Sequence, residues 1–275
     1  MTEPGEKGQV KQMTTIWRLI DSGLCAASYN MALDEAISVN VRRGGSPPTL
    51  RLYGWEMTSV SLGSFQKITS IDLEYCTNNK IPVVRRPTGG RGILHGDELT
   101  YSFSSKNNGD FSGSLLETYR KLSIAFSAAL HSIGLRTTMK MVRESGRNLT
   151  RSPLCFKSIS YGEISLDDKK LIGSAQKRWS DGFLQQGSIP YDIRDEETIR
   201  IFNLAPSLYV NDGIICLNRL IPDLSHNRFK KAIKEAFEET FNIRLVRSEV
   251  SQEEHFLAKE LEARKYLAPE WNLQR

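Results

Sequence analysis

The sequence predicts an α/β (α+β) fold: mixed β-sheets flanked by helices, with a small helical part at the C-terminal end. Three patterns carry that expectation. Through the first two-thirds of the chain, short alternating segments recur between Gly, Pro and Asp breaks, as strands and their turns do. Leu115, Tyr119, Leu122, Phe126, Ala129, Leu130 and Ile133 recur at helical spacing, enough to cover one face of a sheet. Beyond residue 205 the apolar pattern becomes mainly helical.

Taken in order, residues 1–15 read as a flexible lead-in. Trp17-Arg18-Leu19-Ile20-Asp21 alternates as a short strand. Ser28 is placed to cap a helix carrying Ala32, Leu33, Ala36, Ile37 and Val41, which Gly44-Gly45-Ser46-Pro47-Pro48 ends. Thr49–Trp55 and Ser59–Phe65 are strand-like, a short helix spans Asp72–Asn79, and the strand Pro82–Arg86 enters a glycine-rich run. Glu98–Phe103 leaves that run as a strand, and the long helical stripe stops at Gly134. Segment 140–153 carries Lys140, Arg143, Arg147 and Arg151 against Glu144 and reads as an exposed loop before Cys155. Tyr161–Leu166 and Lys170–Ala175 flank Asp167-Asp168-Lys169, a hairpin pattern, and Gly182 and Gly187 punctuate further strands. Ser225 is a cap for a helix bearing Phe229, Ala232, Ile233, Ala236, Phe237 and Phe241; a charged helix follows over roughly 252–267. The expected organisation is a main domain over 16–205 with a smaller, mainly helical unit, 206–275, packed on it.

With 275 residues, 39% of them hydrophobic, the chain can bury one large core. Its 37 basic and 32 acidic residues leave a net charge of +5, which suits an acidic partner without demanding nucleic acid. Cys25, Cys76, Cys155 and Cys216 form no C-x-x-C and no metal-ligand spacing with the four histidines, so no metal is expected and the thiols read as reduced. The first sixteen residues hold no signal-peptide core, and no run approaches the length of a membrane span. A cytoplasmic location is the expectation, with no membrane or nucleic-acid partner.

The chemistry concentrates in Arg85-Arg86-Pro87-Thr88-Gly89-Gly90-Arg91-Gly92-Ile93-Leu94-His95. Glycines there allow close approach of backbone to a ligand, and the same run also fits a tight turn between strands. It matches neither the P-loop nor the dinucleotide spacing. Further on, Cys155 precedes the hairpin and Lys170 lies on its return arm, so the hairpin can bring the two together. A nearby ammonium favours a thiolate over a thiol whose unperturbed pKa is about 8.5, and it can polarise an acyl carbonyl. The bland alternative for Cys155 is a small buried hydrophobe. His95 reads either as a base or as a loop residue bonded to its neighbours, and Asp34 and Glu35 read as solvated or capping carboxylates.

Three segments in order, Asn30-Met31-Ala32-Leu33-Asp34-Glu35-Ala36, Arg85–Gly92 with His95, and Lys170-Leu171-Ile172-Gly173-Ser174-Ala175-Gln176, resemble the lipoate/biotin protein ligase and octanoyltransferase superfamily. The resemblance runs from about Trp17 to Trp271, with a family-type catalytic region of about 38–253. Arg151-Ser152-Pro153-Leu154-Cys155-Phe156 and Glu270-Trp271-Asn272 look most like the cysteine-dependent octanoyltransferases of its lipoate-ligase-like branch. What this implies is a ping-pong transfer without metal, ATP or other cofactor. Octanoyl passes from octanoyl-acyl carrier protein to Cys155, and then to a lysine of a lipoyl domain such as glycine cleavage H protein. Lys170 would lower the Cys155 pKa and orient the carbonyl, while Arg86, Gly89, Gly90, Gly92, His95, Gly173 and Ser174 would bind substrate. Much of the superfamily has Asp directly after the histidine; here Gly96 stands there and Asp97 follows, so Asp97 is given no role. The alternatives are an amidotransferase between lipoyl domains and an ATP-dependent lipoate–protein ligase, which needs no cysteine at position 155. A non-enzymatic binding module would need an aromatic-basic pattern that the chain lacks.

Overall fold

The computed structural model describes residues 15–139, 164–205 and 214–274. In chain order its elements are β1 (Thr15–Cys25), α1 (Ala27–Arg43), β2 (Thr49–Trp55), β3 (Ser59–Leu62), α2 (Leu73–Asn78), β4 (Val83–Arg85), β5 (Ile93–His95) and β6 (Glu98–Lys106). Then come α3 (Leu115–Ser132), β7 (Thr138–Met139), β8 (Ile164–Leu166), β9 (Lys169–Arg178), β10 (Gly182–Pro190) and α4 (Asp195–Ile201). The last part holds α5 (Leu217–Leu220), α6 (His226–Phe241), β11 (Ile243–Arg247), α7 (Gln252–Leu261) and α8 (Pro269–Asn272). Among the described residues, one mixed sheet has the order β11-β1-β2-β6-β10-β9-β8-β7, and a smaller one has the order β4-β3-β5. The expected mixed-sheet α/β architecture is therefore present.

Strand alternation sorts the two faces of the large sheet. Trp17, Leu19, Leu50, Leu52, Leu99, Tyr101 and Phe103 point to one side, where they meet Leu122, Phe126, Phe229 and Phe237 of α3 and α6 in the main core. The residues between them face α1: Ile20, Tyr53 and Trp55 pack with Met31, Leu33 and Ile37. On that same face Arg51, Thr100 and Ser102 are buried polar residues. The small sheet carries its own cluster, in which Val60 and Leu62 pack with Ile201 and Phe202.

Several local signals act as the sequence suggests. Asp72 caps α2 by accepting from the Tyr75 amide, and Ser225 caps α6 by accepting from the Arg228 amide. Gly44 takes a left-handed conformation to end α1. The β8–β9 hairpin closes on Asp167 and Asp168, both at positive φ, the backbone of a tight two-residue hairpin turn.

Other features differ from expectation. Ser28 does not cap α1: the helix is preceded by Ala26 without a side-chain cap, and the Ser28 hydroxyl donates instead to Glu262 at 2.8 Å. The helix expected over 252–267 ends at Leu261 and passes into a π-helical turn, Glu262–Tyr266. The C-terminal part also supplies a strand, β11, which pairs in parallel with β1 at the edge of the large sheet. Its outward residues Arg244, Val246 and Arg247 are exposed, so only Ile243 and Leu245 signal burial, too few to set a period.

Candidate active site

The α1 face of the large sheet and the small sheet meet around a pocket. From the large sheet and α1 come Met31, Tyr53, Trp55, Thr100, Gly173, Ser174, Ala175, Gln186, Gly187 and Ser188. From the small sheet and its loop come Ser61, Arg86, Ile93 and His95. Four residues singled out in the sequence, Arg86, His95, Gly173 and Ser174, thus line one cavity.

The glycine-rich loop is fastened from beneath by Arg86. Its guanidinium donates to the carbonyls of Gly89 (2.8 Å) and Arg91 (2.6 Å) and to Ser61 Oγ (3.1 Å). Gly90 has a φ of +85°, and a side chain there would also press on that guanidinium. Gly92 packs against Phe202, away from the pocket lining. Arg86 is therefore a structural donor to carbonyls. Arg85 points the other way: it donates to the carbonyls of Gly63, Gln66, Trp271 and Gln274. Asn272 Oδ1 accepts from the Arg85 amide at 2.9 Å, and Trp271 Nε1 donates to its carbonyl at 2.8 Å. The C-terminal Trp-Asn pair is thus a clamp on the strand that leads into the loop.

His95 is buried and stacked on Trp55, with ring centroids 3.8 Å apart and 14° between planes. Its Nδ1 lies 2.9 Å from Glu98 Oε1 and its Nε2 2.7 Å from Ser61 Oγ. Burial alone would raise the Glu98 pKa, but His95 and the hydroxyl of Thr100 outweigh it and hold the carboxyl below its usual range. An ionised carboxylate only accepts, so Nδ1 donates to it, and the ring is held between Glu98 and the Ser61 hydroxyl. No spacing in the sequence marks this trio, because Ser61 and Trp55 reach His95 only through strand pairing and packing.

Asp34, read from the sequence as a solvated or capping carboxylate, is instead fully buried. Its Oδ1 accepts from Arg51 (2.7 Å) and Ser102 (2.6 Å), its Oδ2 from Tyr53 (2.8 Å) and Gln186 (2.7 Å). Gln186 in turn accepts from Thr88 of the glycine loop at 2.8 Å, so the carboxylate on α1 is wired to the loop. Glu35 is also paired, accepting from Lys265 and Tyr266.

Lys170 lies fully buried on β9, opposite Ser165 of β8, and its carbonyl accepts from the Ile215 amide at 3.1 Å. It is not among the residues lining the pocket, unlike Gly173 and Ser174 on the same strand. Ser174 Oγ meets the Tyr101 hydroxyl at 2.8 Å. Cys155 lies outside the described residues. Burial raises the pKa of each of the other three thiols, that of Cys76 to about 11. Gly96 leaves room for a side chain, with Arg194 Nε at 3.7 Å, while the Asp97 carboxylate faces His226 at 3.5 Å. Among the described residues there is no group of three or more His, Cys, Asp or Glu side chains set to hold a metal, and no helix is long and apolar enough to cross a membrane.

The mixed sheet, the small second sheet and the fastened glycine loop surround this pocket, and comparison with known proteins gives the class of enzyme to which they belong. Residues 26–238 match the lipoyl protein ligase A/B catalytic domain, and the chain belongs to that family. It is 37% identical to the octanoyltransferase LipM of Kyrpidia tusciae, covering 94% of this chain and 99% of that one. It is 36% identical to the octanoyltransferase LipM of Bacillus subtilis, covering 94% and 98%. Its fold superposes on a lipoate-protein ligase A structure with bound ATP at a TM-score of 0.78 and 24% identity, covering 95% and 99% of the two chains. A bipartite lipoate protein ligase from Thermoplasma acidophilum gives 0.79 at 22% identity, covering 95% and 98%.

Proposed function

We propose that this chain is an octanoyltransferase of lipoate biosynthesis that carries octanoyl on Cys155 between two protein carriers. The observation that carries this reading is the nearly end-to-end match to octanoyltransferases. In the first half-reaction the Cys155 thiolate attacks the thioester of octanoyl-acyl carrier protein, and the carrier's thiolate leaves. In the second, the ε-amine of a lysine on a lipoyl domain, such as glycine cleavage H protein, attacks the Cys155 thioester; the C–N bond forms and the C–S bond breaks. Splitting the transfer in this way spares the enzyme from holding two large carriers at once. Lys170 favours the Cys155 thiolate and orients the acyl carbonyl. Arg86, His95, Gly173 and Ser174 form the substrate-binding wall, and Gly89, Gly90 and Gly92 shape the loop beside it. The route needs neither metal nor nucleotide and runs in the cytoplasm. The net charge of +5 speeds encounter with acidic carriers. The raised pKa values of Cys25, Cys76 and Cys216 support Cys155 as the reactive thiol.

The test is intact mass after incubation with octanoyl-acyl carrier protein in the absence of ATP. An octanoyl adduct is expected, absent in Cys155→Ser and slower to form in Lys170→Ala. Modification of a lipoyl domain only with free lipoate and ATP would make the protein a ligase instead. An adduct formed only from an octanoylated lipoyl domain would make it an amidotransferase.

A further inference from the structure

A donor that is itself a protein is held by its surface as well as by its acyl chain. We propose that Arg42, Lys106, Lys177 and Lys265 form the docking surface for the acidic acyl carrier protein of the first half-reaction. This rests on the octanoyltransferase reading above.

Two tracks lead from the pocket to this surface. On α1, Met31 lines the pocket, Glu35 follows one turn on, and Arg42 stands about two turns beyond that. On β9, Ala175 lines the pocket and Lys177 is the next residue on the same face, about 7 Å further along the strand. The tracks converge on Trp179, with the Arg42 guanidinium 4.1 Å and the Lys177 ammonium 4.8 Å from its ring centroid. Lys106, at the end of β6, stands opposite Gly182, whose carbonyl accepts from the Trp179 amide at 2.8 Å. Lys265 lies over the Trp271 ring at 4.2 Å.

The charges on this surface do not cancel. Arg42 pairs with Asp181 at 2.8 Å and Lys265 with Glu35 at 2.7 Å. Among the described residues, no carboxylate pairs with Lys106 or Lys177, and both are half-buried. Burial holds the Lys177 pKa below its usual value, and Lys265 and Arg42 push it the same way against the opposing pull of Glu35. Ammonium groups so placed are stabilised by an anion brought from outside. The offset from the pocket selects the donor rather than the acceptor. The carrier's octanoyl hangs on a phosphopantetheine arm several times longer than a lysine side chain, so its protein surface docks away from the pocket. A lipoyl-domain lysine is short and brings its own surface to the pocket itself. The arm's phosphodiester and the acidic side chains around its root are both anions that these cations fit.

The experiment measures acylation of the enzyme in single turnovers with two donors, octanoyl-acyl carrier protein and octanoyl-pantetheine, which lacks both phosphate and protein. Reversing both lysines, Lys106→Glu with Lys177→Glu, is expected to slow acylation by the carrier protein by roughly 10-fold or more at low salt. The difference from wild type is expected to shrink as salt is added. Acylation by octanoyl-pantetheine, transfer from the acylated enzyme to a lipoyl domain, and the melting temperature are expected to match wild type. The neutral pair, Lys106→Gln with Lys177→Gln, is expected to act in the same direction by less. Equal slowing with both donors, slowing of the lipoyl-domain step instead, or no change with the carrier protein overturns the docking surface alone. A wild-type chain that takes octanoyl from neither donor overturns the parent reading and the docking surface with it.

Discussion

Arg85 and Arg86 are neighbours in sequence, alike in charge and both buried, yet they hold different parts of the molecule. Arg85 gathers carbonyls from the segment after β3 and from the C-terminal end, so it joins chain separated by roughly two hundred positions. Arg86 gathers the carbonyls of its own loop, three and five positions on, and touches the pocket through Ser61. Each guanidinium carries five N–H donors in a rigid fork, which lets it satisfy several carbonyls at once. Strand alternation sends one fork outward to the clamp and the other inward to the site. A run of arginines beside glycines therefore does not by itself mark an anion site; where the donors end decides.

This contrast can be broken in order of size. Arg85→Met strips donors from four carbonyls, and a loss of about 3 kcal/mol of stability is expected by chemical denaturation, since bonds to charged groups contribute more than neutral ones. Arg86→Met is expected to act mainly on rate. With the loop released, acyl transfer should fall by roughly 10²-fold, the usual consequence of misplacing a substrate by about 1 Å, with a smaller change in melting temperature than Arg85→Met gives. A variant that loses stability and rate in equal proportion would erase the distinction. Asn272→Ala leaves the buried Arg85 amide without its side-chain acceptor, and about 1–2 kcal/mol is expected, read as a shift in the denaturation midpoint with unchanged slope.

What the sequence disclosed follows the range of the interactions. The glycine loop is legible because Arg86 bonds within five residues, and α3 is legible because its apolar stripe repeats every turn and stops at Gly134. Asp34 is not. A carboxylate on a helix looks solvated until β2 and β6 bring Arg51, Tyr53 and Ser102 to it, and no local pattern announces those strand partners. Ser61 is hidden for the same reason. It is an unremarked residue on a four-residue strand, and only the pairing of β3 with β5 sets it near His95. Strand β11 escaped because one face of it is wet. In physical terms, local hydrogen bonds and periodic burial are written in the chain, whereas contacts made by sheet register are written in the sheet.

Gly63 bears on how the site tolerates change. A Cβ there would sit 1.9 Å from the Gly90 carbonyl oxygen, an approach of backbone to backbone with no side chain able to yield. The loop therefore rests directly on the end of β3, as a lintel rests on its post. Any substitution at position 63 must lift the whole loop rather than trim the pocket. Reshaping the pocket is thus left to walls made of side chains, such as Met31, Ile93 and Ala175, while position 63 sets how close the loop lies to β3.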